Sequence, residues 1–310
     1  MADDGTILVF APVPQLTITI EQQGETPELH VHPGGQGIWQ ARMCAALGAP
    51  VTLCAAVGGE IGDVIARLLE REDVRVRIVA RDTGSGWYVH DRRDGSRSEV
   101  AEHPGVPLGR HDLDALYTAA LAEGLRARIA ILSGAAGPQV VHPDVYRRLA
   151  ADLNSHDVRV VADLTGDHLS AVLQGRVAFL KVSHEELIDS GRAPGDDDGA
   201  LLDAAHQLRA EGAEAVLISR ADRPGIALLG DDPLLVGLPA LQTVDHRGAG
   251  DSMTAGVATV LARGGDLPEA VRTGAAAGAL NVTRHGLGTG HRDAIAALAD
   301  RVALTPLNAG

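Results

Sequence analysis

The chain has 310 residues and a formal net charge of −14, with 27 Lys and Arg against 41 Asp and Glu. Hydrophobic residues at 45% and charged residues at 22% exclude wholesale disorder, and the acidic balance argues against nucleic acid or an anionic membrane as the main partner. Cys44 and Cys54 are too few for a disulfide framework and lie in no metal-spaced motif. With an acidic start and no run near the roughly 18 apolar residues of a membrane span, they predict a cytoplasmic protein.

In chain order, apolar runs rich in β-branched residues alternate with segments of helical period. A buried strand is predicted at 7–10, polar–apolar alternation at 17–31, a helix at 36–48 with Trp39, Met43, Ala46 and Leu47 on one stripe, and a strand at 51–55. Alternation returns at 85–102, followed by a helix at 111–125, a strand at 129–133, a helix at 143–154 and strands at 158–163 and 179–182. A helix at 199–211, a strand at 215–219 and two helices at 250–263 and 266–284 complete the pattern. Strand, helix and strand repeated this often imply right-handed crossovers and a mostly parallel sheet covered on both faces, an α/β fold. The alternating stretches read as a small antiparallel lid, about 15–32 and 85–102. Each is flanked by core strands, so the expectation is a single domain over 1–310 rather than two. Trp87 and Tyr88 in a half-exposed lid strand point to packing against a second lid and hence a homodimer. The run Asp196, Asp197, Asp198 reads as a solvated loop.

The strongest chemical signal is Asp245-His246-Arg247-Gly248-Ala249-Gly250-Asp251-Ser252, where an irregular glycine segment meets an apolar periodic run. Such a junction exposes free backbone N–H groups at a helix start carrying roughly +0.5 of an elementary charge, an anion site. Asp251 reads either as a first-turn acid favoured by the dipole or as a functional carboxylate in that site. A second signal is Pro33-Gly34-Gly35-Gln36-Gly37, followed by a helix, a strand and Gly58-Gly59. No glycine stretch ends in Gly-Lys-Ser/Thr, which excludes a P-loop enzyme.

These residues resemble the ribokinase-like carbohydrate kinases of the phosphofructokinase B type, nearest to 1-phosphofructokinase-like members. The likeness spans roughly 7–300 and rests on Gly34-Gly35-x-Gly37, Gly58-Gly59, Leu132-Ser133-Gly134, Lys181 with Glu185-Glu186-Leu187, Gly248-Ala249-Gly250-Asp251 and Gly288-Thr289-Gly290. The resemblance implies a ribokinase-like three-layer sandwich with a mostly parallel central sheet and a small β lid that often mediates dimerisation. It also implies ATP- and Mg2+-dependent phosphorylation of a hydroxyl on a small acceptor. Asp251 matches the family's catalytic base, and Gly248, Ala249 and Gly250 match its anion hole. Glu186 matches the acid that supports Mg2+ through water. Ser183, Lys181, Ser219 and Asn281 fall on the nucleotide side, and Asp245 matches the position from which some relatives bind a monovalent cation such as K+. The acceptor side falls on Gln15, Gly34, Gly35, Gln36 and Trp39.

The departures concentrate at the acceptor. Gln36 and Trp39 replace the Lys and Asn of the glycine turn, Gln15 replaces an early sugar-binding Asp, Gly84 stands where an Arg follows the Thr matching Thr83, and Ala135 replaces a Ser. Ser183 replaces an Asn on the nucleotide side. A sugar phosphate is normally held by cationic groups, so the expected acceptor is unphosphorylated, and Trp39 either lines its pocket or packs between helices. The alternatives are a regulator on the same fold that has lost turnover, and a sugar-phosphate kinase using Arg92, Arg93 or Arg97 of the lid. His30 and His32 share one face of a lid strand without an identifiable third metal ligand.

Overall fold

A computed structural model describes residues 5–135, 140–221, 223–239, 241–242, 244, 246–284 and 287–307. A ten-stranded sheet runs, from one edge, through Arg75–Ala80, Val51–Val57, Ile7–Phe10, Ile129–Ser133, Arg159–Asp163, Phe179–Ser183, Val216–Ser219, Gly225–Leu228, Pro233–Gly237 and Ala303–Pro306. The first seven pair in parallel and the last three extend the sheet antiparallel. This is an α/β architecture, with helices on both faces of the sheet.

The two-residue period of the strands divides the core. Leu8 and Phe10 join one apolar cluster with Leu149 and Leu153 of helix Pro143–Asn154, while Ile7 and Val9 join another with Val257 and Leu261 of helix Ala249–Ala262. With few aromatics, the second layer packs through small residues. A β-carbon on Gly256 would lie 2.7 Å from the Gly274 α-carbon of the neighbouring helix Leu267–Asn281. Helix Ala249–Ala262 is consequently buried on every side from Asp251 onward.

The smaller sheet orders Thr26–Gly34, Gln15–Gln23, Gly86–Asp91 and Ser98–His103. It consists of two antiparallel hairpins whose inner strands pair in parallel, Leu16 opposite Trp87 and Thr17 opposite Tyr88. Trp87 packs against the apolar cluster of its own chain, so only Tyr88 of the expected aromatic pair faces the opposite side, where Arg97 stacks on it at 5.3 Å. Helices Gly59–Leu69, Gly166–Gln174, His184–Asp189 and Arg292–Ala299, and strands at 75–80, 225–228, 233–237 and 303–306, go beyond the expected elements. The added strands are short or carry charged residues at a sheet edge, where alternation is weak evidence. Among the described residues no helix is long and apolar enough to cross a membrane.

Candidate functional site

The parallel strands end together at Ser133, Asp163, Ser183 and Ser219, on the edge where open α/β sheets bind ligands. Against this edge stands the start of helix Ala249–Ala262. Gly248 precedes it in the left-handed region (φ 69°, ψ 4°), and no side chain caps the helix. Its first N–H groups have no helical carbonyl to meet, so the sequence places uncapped donors here.

Asp163, 1% exposed, is the hub of a buried polar network behind those donors. Thr254 donates its hydroxyl to Asp163 Oδ2 at 2.9 Å, Gln40 Nε2 donates to the same oxygen at 3.3 Å, and Lys181 Nζ reaches Oδ1 at 3.4 Å. Ser133 Oγ donates to Gln40 Oε1, and Tyr146 holds Ser133 in turn through a 2.9 Å bond to its carbonyl. Lys181, the only lysine, is 6% exposed, and burial alone would discharge it. The carboxylates of Asp163, Glu186 and Asp251 outweigh that effect and hold its pKa above the ordinary value.

Asp251 is 9% exposed. Burial, followed by the Asp163 charge, pushes its carboxyl well above the usual carboxylate range, while Lys181 and a hydrogen bond from Gln36 pull it back. A carboxyl poised this way can take up a proton near neutrality. Glu186 accepts from the Ser183 N–H at 2.7 Å and Ser183 Oγ accepts from the Glu186 N–H at 3.2 Å, a capping box at the start of helix His184–Asp189. His184 Nδ1 donates to the Ser219 carbonyl at 3.4 Å.

A cavity of about 280 Å3 adjoins this network and is lined by Gln15, Gly34, Gly35, Gln36, Trp39, Gly134, Asp163 and Glu186 among others. Among the described residues, no Lys or Arg lines it. On its far side Trp39 also walls a larger cleft of about 640 Å3 beneath the lid, with His30, His32, Tyr88, Arg42, Arg92 and Arg97. The donor set suits an anionic nucleotide with a divalent ion. The helix start is uncapped, the Lys181 ammonium packs against Gly250, Ser252 Oγ is buried without a partner, and Glu186 lines the adjoining cavity.

The profile of the pfkB family carbohydrate kinases matches residues 9–294. The chain belongs to this family. It is 29% identical over 261 residues to the ATP-dependent 6-phosphofructokinase isozyme 2 of Escherichia coli strain K12, covering 82% of each chain. Its fold matches phosphofructokinase-2 from Escherichia coli in complex with potassium at a TM-score of 0.83 and 24% identity, covering 95% of this chain and 98% of that one. It also matches Arabidopsis thaliana ribokinase complexed with ribose and ATP at 0.72 and 22%, covering 96% and 99%. As a pfkB-family member the protein is an ATP-dependent carbohydrate kinase, and the family implies ATP and Mg2+.

Within this pfkB chain the expected residues form two groups. Gln15, Gly34, Gly35, Gln36, Trp39 and Glu186 line one cavity, and Lys181 and Gly250 meet beside Asp251. Trp39 thus lines the pocket, and it also packs against the 288–290 turn, where a β-carbon on Gly288 would sit 2.4 Å from the Trp39 carbonyl. Asn281 is fully buried with both ends of its amide engaged, Nδ2 donating to the Arg247 carbonyl at 2.6 Å and Oδ1 accepting from the Gly288 N–H at 3.0 Å. It braces the segment leading into Gly248. Asp245 lies outside the described residues. Asp163, Gln40 and Thr254 had no part in the sequence reading; the available signal was an acid closing an apolar strand, Val160-Val161-Ala162-Asp163.

Proposed function

We propose that the protein transfers the γ-phosphoryl group of ATP to a hydroxyl of a neutral, unphosphorylated, carbohydrate-type acceptor. The observation that carries this reading is the acceptor-side cavity: among the described residues its lining has two carboxylates, Asp163 and Glu186, and no cationic side chain. A phosphorylated acceptor would meet negative charge there without a charge-assisted donor. Arg81, two residues before Thr83, does not compensate. It is buried and donates to the carbonyls of Val106 at 2.7 Å and Gly84 at 2.9 Å.

Asp251 accepts the proton of the attacking hydroxyl, and the N–H groups at the start of helix Ala249–Ala262 receive the charge that develops on the transferring phosphoryl oxygens. Lys181 and Glu186 flank that space on the nucleotide side, with Glu186 oriented by its capping box to hold Mg2+ through water. Mg2+ supplies neutralisation of the phosphate charge. A K+ dependence remains part of the proposal through Asp245, and so does a homodimer formed through the lid. Two buried free thiols, Cys44 and Cys54, fit a reducing cytoplasm.

A second reading has support in the lid cleft, where Arg42, Arg92 and Arg97 line the far side of Trp39 and could receive a phosphate. Arg42, however, already forms a two-pronged pair with Glu72, and Arg92 lies 3.9 Å from Glu21. Steady-state kinetics on matched pairs, fructose with fructose 6-phosphate and tagatose with tagatose 6-phosphate, decides between them. The neutral member of each pair is expected to have the higher kcat/KM; a phosphorylated member above every neutral acceptor overturns the proposal. No phosphoryl transfer across sugars, nucleosides and polyols would leave a regulator that only binds.

A further inference from the structure

We infer that Gln40 is a positioning residue for the ammonium of Lys181, acting through Asp163. A buried chain of donors fixes one carboxylate oxygen so that the other holds Lys181 at the start of helix Ala249–Ala262. The inference rests on the reading of that helix start as the phosphoryl site.

Gln40 is fully buried in helix Gln36–Ala46. Its Nε2 lies 3.3 Å from Asp163 Oδ2, and its Oε1 meets Ser133 Oγ. A carboxylate paired with an ammonium only accepts, so the NH2 end of the amide must face Asp163. The amide oxygen then faces Ser133, whose hydroxyl has to donate. The hydrogens of the chain run one way, from Ser133 through Gln40 to Asp163. Thr254 cannot take the place of Gln40. Its hydroxyl carries one hydrogen and has two oxygens within reach, Asp163 Oδ2 at 2.9 Å and the Gly250 carbonyl at 3.0 Å. Among the described residues, Gln40 is therefore the donor to Oδ2 whose hydrogen no other acceptor contests.

With Oδ2 held from two sides, the plane of the carboxylate is set and Oδ1 is turned to Lys181 Nζ at 3.4 Å. The lysine stem is flexible, and among the described residues Asp163 is the hydrogen-bond partner that holds its end. The place so fixed is beside Gly250, at the uncapped helix start. An ammonium has three N–H groups, so two remain for phosphoryl oxygens. One amide thus links helix Gln36–Ala46 and the ends of strands Ile129–Ser133 and Arg159–Asp163 to the charge beside the transferring group.

The single lysine allows a direct test. In protein labelled with 13C-lysine the ε-methylene of Lys181 gives one carbon signal. Its two hydrogens have separate shifts when the ammonium is locked and merge when it rotates freely. Separate shifts are expected in the wild type and merged shifts in Gln40→Met, with the milder Ser133→Ala in between. In the kinase assay Gln40→Met should lower kcat by about 10- to 100-fold, with acceptor KM changing less. In a Lys181→Met background the same substitution should change kcat by less than about twofold, because both residues act on one contact. Separate shifts retained in both Gln40→Met and Ser133→Ala would overturn the inference. So would an equal fold-loss of kcat with and without the Lys181 ammonium, which would make Gln40 a purely structural amide. Merged shifts in Gln40→Met together with wild-type kcat in Lys181→Met would sink the reading of Lys181 at the phosphoryl site and leave the positioning itself standing.

Discussion

The ammonium of Lys181 occupies the space where any side chain at position 250 would begin. A β-carbon on Gly250 would lie 2.4 Å from Nζ and 3.0 Å from Cε. Gly250→Ala must therefore push Lys181 away from Asp163 or shift the start of the helix. Overpacking of this kind costs about 1–3 kcal/mol. A lower Tm together with a kcat loss of at least about tenfold is expected, and a variant with wild-type kcat would show that the contact is unimportant for turnover.

Asp251→Asn should lower kcat by about 10²- to 10⁴-fold and leave ATP affinity within a few-fold. Stability should move the other way. A carboxyl whose folded pKa is raised contributes stability below its unfolded pKa of about 4 and loses that contribution as pH rises through the folded value. The Tm advantage of Asp251→Asn over wild type is therefore expected to grow from pH 5 toward pH 8. Thermal melts across that range check it, and a constant difference would contradict the raised value.

Glu186 caps its helix, and the metal role proposed for it can be separated from that cap by one substitution. Gln is as good as Glu at the third helical position of a capping box, so Glu186→Gln keeps an acceptor for the Ser183 N–H while removing the charge. The expected result is an unchanged Tm with a raised Mg2+ concentration for half-maximal rate. Glu186→Ala should additionally lose about 0.5–2 kcal/mol of stability. Equal Mg2+ dependence in wild type and Glu186→Gln would remove the metal role and leave the cap.

Asn281→Ala leaves the Arg247 carbonyl and the Gly288 N–H without their side-chain partners. The Gly288 N–H is buried, and leaving such a group unsatisfied costs about 1–3 kcal/mol. A clear fall in Tm is expected, and because the brace lies just before Gly248, KM for ATP should rise as well. Loss of stability with unchanged ATP kinetics would make Asn281 a purely structural residue.

Much of the large sheet was legible because apolar runs such as Ile7–Phe10 can only be buried, and the lid because its alternation has a two-residue period. The uncapped start of helix Ala249–Ala262 was legible too, from Gly248 and Gly250 standing just ahead of an apolar run. What escaped depends on contacts distant in sequence. Asp163 looks like an ordinary strand-ending acid until Gln40, Thr254 and Lys181 converge on it. Gln36 looks like a free acceptor ligand until Gly134 takes its oxygen. Trp87 could be read as a partner-facing aromatic because its alternation does not say which face of the lid the core covers.

With one lysine in the whole sequence, an endoprotease that cuts after lysine has a single target, the Lys181–Val182 bond. That bond lies inside a central strand hydrogen-bonded on both sides, with Lys181 6% and Val182 1% exposed. Cleavage therefore requires opening of the middle of the sheet rather than fraying of a loop. Digestion at this one position becomes a direct clock for that opening event, and ligands that bind beside Lys181 should slow it in proportion to their occupancy.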